Sequence, residues 1–201
     1  MHNPSLARKA GVIGMVGGVL WIVSLIMQHG FGAGLNSSSL YVVHEVIALT
    51  ALISMNVGFL GLIWGGAFRR RFGTFAVGVH VLAYTLIVLG GIAALVLGDA
   101  AGPLFLLFPI GGALEGVGQM LIVIAVLATA RWEGWQRWIP LFYSIYQLLA
   151  VGLPLVLGAT PDGPGFSVQI GTGVWWFLVA LAVYTAQARA ATPQPVTLGN
   201  V

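Results

Sequence analysis

The sequence predicts an all-α integral membrane protein: a six-transmembrane-helix bundle with short loops and both termini cytoplasmic. Three observations predict it. First, 59% of the 201 residues are hydrophobic and 6% are charged, with a mean hydropathy of +0.99. A soluble domain carries about 25% charged residues. Eight basic and five acidic side chains cannot clothe a water-facing surface of this size, whereas lipid demands none. Second, apolar runs of about 20 residues, the length that crosses a bilayer as a helix, recur along the chain. Third, Lys and Arg fall into alternate connections between these runs, which sets an orientation.

Residues 1–191 read as a single transmembrane domain. The first span covers about residues 11–29; its apolar run is longer than a signal-peptide h-region, so it is read as a retained helix. Gly30–Ser39 follows, a loop rich in Gly and Ser. The second span, 40–68, stops at Arg69-Arg70-Arg71, and the third, 72–98, stops at Asp99. The fourth, 103–130, stops at Arg131; the fifth, 138–159, leads into a Gly- and Pro-containing turn; the sixth, 166–188, stops at Arg189. Pro193 and Pro195 lie in a stretch with no apolar period, so 192–201 reads as a disordered tail.

Arg8, Lys9, Arg69, Arg70, Arg71, Arg131, Arg137 and Arg189 all fall on one side of this arrangement. That side is cytoplasmic by the positive-inside rule. The expected location is a bacterial inner membrane, with the lipid bilayer as the first partner. Trp132, Trp135 and Trp138 flank Arg131 and Arg137 as an interfacial belt. The sequence pI of about 9.7 does not indicate nucleic acid, because no basic patch with interleaved aromatics accompanies it. The chain has no cysteine, hence no disulfide, thiolate metal site or Cys nucleophile.

The polar residues inside the spans carry the remaining information. At about 1.5 Å of rise per residue, Asn56, Tyr84, Glu115, Gln119 and Gln147 fall close to the bilayer centre on four different spans. Glu115 and Gln119 are i, i+4 and share a face; so do His80 with Tyr84, and Tyr143 with Gln147. An ionised Glu at that depth costs several kcal/mol, so it requires a partner, a wet cavity or a proton. The candidate ligand-binding residues are therefore Glu115, Gln119, Tyr84, Asn56, Gln147 and His80, with Glu115 as the catalytic acid should the protein be an enzyme. Gly111, Gly112 and Gly118 are expected on the same inward face, with Gly14/Gly18, Gly61/Gly65 and Gly112/Gly116 as small-residue pairs for close helix packing. Pro109 and Pro154 are expected to kink their spans beside the polar layer. Gly17-Gly18-Val19-Leu20-Trp21 is echoed by Gly171-Thr172-Gly173-Val174-Trp175.

His29, His44 and Glu45 cluster near the outer surface, but adjacent side chains on a helix point about 100° apart, so no metal site is expected. No haem attachment signature is present, Lys9 is the only lysine, and no cofactor is expected. Three functions remain. The leading expectation is a membrane protein that binds or passes a small molecule or proton through the layer centred on Glu115. The second is a structural or assembly subunit that packs through Gly-rich faces against a further copy or a membrane-complex partner. The third is an intramembrane enzyme acting on an apolar, terpenoid- or quinone-like substrate, with Glu115 as general acid.

Overall fold

The computed structural model describes residues 3–34, 38–68, 71–158 and 165–190. Arg69, Arg70, Ala159, Asp162 and the tail at 192–201 lie outside the described residues. The chain is helical, and the described residues contain no strand beyond an isolated antiparallel bridge between Phe68 and Ala130. The helices are α1 (Pro4–Phe31), α2 (Tyr41–Trp64), α3 (Arg71–Leu97), α4 (Leu107–Thr129), α5 (Ile139–Tyr146), α6 (Leu153–Val156) and α7 (Phe166–Ala190). Four apolar helical segments are long enough to cross a membrane: Pro4–Phe31, Tyr41–Trp64, Arg71–Ala128 and Phe166–Ala186. Outward faces are apolar as well; Val12, Val16, Val19, Val23 and Ile26 of α1 are all exposed, the pattern of a helix whose solvent is lipid.

The helix ends follow local chemistry. Asn3 caps α1, its side chain accepting from the Leu6 amide at 3.1 Å, and Pro4 occupies the first turn, where a missing N–H is free. Gly32 closes the same helix with φ 62°, a left-handed conformation suited to glycine. The 58-residue apolar segment is two helices, α3 and α4. Between them lies a 3₁₀ segment, Gly98–Leu106, with positive φ at Gly98 and Gly102. The chain turns back there. A Cβ on Gly118 would meet the backbone of His80 at 3.0 Å, one on Gly111 the Ala83 carbonyl at 2.9 Å, and one on Gly90 would meet Leu107 and Phe108. Contacts in that order make α3 and α4 an antiparallel pair.

Two prolines act differently from one another. Pro109 sits in the first turn of α4, where the absent N–H costs no helical bond. Pro154, in α6, lies just past a π-helical segment, Gln147–Gly152. Its ring clashes with the carbonyl four residues back, and the wider turn before it relieves that clash.

Glycines on α1, α2 and α7 let three backbones meet. A Cβ on Gly14 would lie 2.8 Å from the Gly58 Cα, and one on Gly18 2.9 Å from the Gly173 carbonyl. Gly61 faces Val183 and Ala10. The two echoed segments thus pack on each other, Gly18 against Gly173 and Gly173 against Trp21 and Ile22. Gly112 and Gly116 do not join in: nothing lies within 4 Å of a Cβ at either, and Gly112 is exposed. The close-packed glycines of α4 are Gly111 and Gly118.

The end of the bundle that carries the N-terminus is tied by backbone. The Asn3 amide donates to Trp64 O (2.9 Å) and the Arg131 amide to Ala67 O (2.7 Å). The Trp132 indole donates to Gly65 O (3.3 Å). Arg8 donates to the Tyr184 hydroxyl at 3.1 Å and lies over its ring.

Candidate functional site

Five helical elements deliver polar side chains to one network. From α3 come His80 and Tyr84, one turn apart; from α4 come Glu115 and Gln119, also one turn apart. Because α3 and α4 run antiparallel with Gly118 against His80, the two pairs stand opposite each other. The Tyr84 hydroxyl donates to Glu115 Oε1 at 2.6 Å. Gln119 Nε2 lies 3.3 Å from His80 Nδ1. α5 contributes Ser144, which donates to Gln119 Oε1 at 2.7 Å, and the fully buried Tyr143.

The network continues into the π segment and α7. Gln147, its first residue, donates to the Tyr143 hydroxyl at 3.1 Å. Trp176 donates to the same hydroxyl through its indole N–H. Thr172, one turn before Trp176 on α7, donates to the side-chain Oε1 of Gln147 at 3.5 Å and to the Val168 backbone carbonyl at 3.2 Å. Aromatic rings enclose the chain of bonds: Phe59 lies 4.1 Å from His80, Tyr84 5.4 Å from Trp176, and Trp176 5.5 Å from Trp21, centroid to centroid. His80, Tyr143 and Ser144 are fully buried, and Gln119 is 1% exposed.

Of the six residues expected in the layer, Tyr84, Glu115, Gln119, Gln147 and His80 belong to this network. Asn56 does not bond to it; its Oδ1 is buried without a partner among the described residues. His80 meets Gln119 through Nδ1, and Gln147 bonds Tyr143 and Thr172. Ser144, Thr172 and Trp176 were not singled out as site residues. The signal for the last two was present: Thr172 and Trp176 are i, i+4 on one helix, one polar stripe like those on the other spans. Ser144 left no signal, because a lone Ser in a span commonly bonds its own backbone.

Glu115 pairs with Tyr84, and among the described residues no Lys or Arg forms an ion pair with it. A short bond between a carboxyl and a phenol holds the acid in place in either protonation state.

The outer cluster is arranged differently. His44 Nδ1 and Glu45 Oε1 are 3.1 Å apart, bonded to each other despite their adjacency. His29 packs on Phe166 at 4.8 Å between ring centroids. Among the described residues no three His, Asp or Glu side chains gather as metal ligands.

No family model matches this chain, and no curated protein or solved structure matches it either.

Proposed function

We propose that the chain crosses the bilayer six times, with both termini cytoplasmic, and binds or passes a small molecule or proton through the layer centred on Glu115. Support for the count comes from the antiparallel α3–α4 pair inside one apolar segment and from the run of Ile139–Val156 as α5, the π segment and α6. Support for the orientation is the confinement of Lys and Arg to one side. The observation that carries the function is the Tyr84–Glu115 bond at 2.6 Å, which sets a titratable acid against a hydroxyl able to give it a proton and take one from it.

Of the two cargoes, the proton fits the packing. The neighbours of Glu115 are in contact with it, and Gln119, Ser144 and Tyr143 are buried. The Tyr84 hydroxyl can exchange a proton with Glu115 by rotation, whereas a larger solute requires the helices to part. The π segment beside Gln147 is the element suited to such parting, since π turns occur at functional positions in helices.

The test is passive proton flux in proteoliposomes loaded with a pH-sensitive dye. Wild-type protein should collapse an imposed gradient faster than empty liposomes, and Glu115→Gln should match the empty liposomes. A wild-type rate equal to that of empty liposomes overturns proton passage; an unchanged rate in Glu115→Gln removes Glu115 from it.

One observation favours the structural-subunit reading. Gly112 and Gly116 face away from the bundle, beside exposed Val117 and Met120, a small-residue face of the kind that lets membrane helices approach. A Gly112→Leu variant that folds but loses a crosslinked dimer or complex would support that reading.

A further inference from the structure

We infer that a single water molecule is bound between α2 and α3, accepting from the Nε2–H of His80 and donating to Asn56 Oδ1. The site is independent of whether Glu115 passes a proton. Its first half follows from hydrogen-bond bookkeeping. Ser144 donates to Gln119 Oε1, so the amide nitrogen of Gln119 is what faces His80 Nδ1. A nitrogen that accepts from an amide carries no hydrogen, so the imidazole proton is on Nε2. His80 is fully buried, and among the described residues its Nε2 has no hydrogen-bond partner. A buried N–H without an acceptor pays its whole desolvation cost.

The second half is the orphan on the facing helix. Asn56 Oδ1 is likewise buried and without a partner among the described residues. Asn56 lies one turn before Phe59 on α2, and the Phe59 ring packs on His80 at 4.1 Å. α2 and α3 are antiparallel, with Leu49 against Gly91 further along. That register places Asn56 level with the turn of α3 that runs from His80 to Tyr84. One orphaned donor and one orphaned acceptor, both uncharged, then lie at the same level of the α2–α3 contact.

The chemistry of the pair selects the occupant. A cation is repelled by the N–H, and an anion by the amide oxygen. A neutral group that both donates and accepts satisfies both, and buried waters hold such sites with two to four polar partners. The water joins α2 to the network of α3, α4, α5 and α7, which otherwise excludes Asn56.

Water-edited solid-state NMR on histidine-labelled protein in bilayers tests this. The His80 Nε2–H signal, assigned by its loss in His80→Phe, should receive magnetisation from water in the wild type. Asn56→Leu should abolish that transfer and shift the signal towards a free N–H, while Glu115→Gln should leave it intact. No transfer in the wild type overturns the site, whatever the variants do. A signal that shifts in Asn56→Leu without any transfer in the wild type means a direct Asn56–His80 bond, and also overturns it.

Discussion

Tyr143 is a well-connected side chain of the layer: its hydroxyl receives Gln147 and Trp176. Removing it orphans buried donors on two other elements, and each such orphan costs about 1–3 kcal/mol. Tyr143→Phe should therefore lower thermal stability in detergent more than Phe142→Leu, whose ring is about half exposed to the surroundings. At Glu115 the shape and the partners can be separated. Glu115→Gln keeps a partner for Tyr84 and should melt close to the wild type, whereas Glu115→Leu leaves the Tyr84 hydroxyl without one and should lose about 1–3 kcal/mol. Equal melting of the Gln and Leu variants would show that the Tyr84–Glu115 bond contributes nothing to the fold. Depth alone made Tyr84, Glu115, Gln119 and Gln147 legible in the sequence, because a helix rises by a fixed step per residue. The pairing was not legible: which polar group meets which depends on helix rotation, so Asn56 was grouped with Glu115 although it faces elsewhere.

The glycines decide how the helices meet. Gly14 touches the backbone of α2 at Gly58, and Gly118 touches the backbone of α3 at His80. A Cβ in either place meets main chain that cannot rotate away, and overpacking of this kind costs about 1–3 kcal/mol or more. Gly14→Leu and Gly118→Leu should therefore reduce the folded yield, and Gly112→Leu should not, since a Cβ there meets nothing within 4 Å. Comparable yields for all three would place the α3–α4 contact elsewhere. In the sequence Gly112 and Gly118 looked alike because both neighbour Glu115 in the chain. Six residues apart on a helix of 3.6 per turn, they point in clearly different directions, and only the position of α3 shows which of them is covered. Pro109 and Pro154 carry the same lesson. Each lies inside an apolar run, but Pro109 falls in a first turn, a boundary that hydropathy does not mark.

For the molecule as a whole, composition and Lys/Arg placement act over many residues, so membrane class was readable before any contact was known. Orientation gives the corresponding prediction. A cysteine introduced at Ser38 should react with an impermeant reagent applied to intact cells, and cysteines at Arg71 and Trp135 should react only after lysis. Labelling of Arg71 and Trp135 from outside would invert the arrangement. The central claim is a half-buried acid within the helices that exchanges its proton with water. The measurement closest to that claim is infrared spectroscopy of the protein in bilayers moved from H₂O to D₂O. The account predicts a carboxylic-acid C=O band that is missing in Glu115→Gln and that shifts in D₂O in the wild type. A band that never shifts, or a carboxylate band lost on that substitution in place of an acid band, would contradict it.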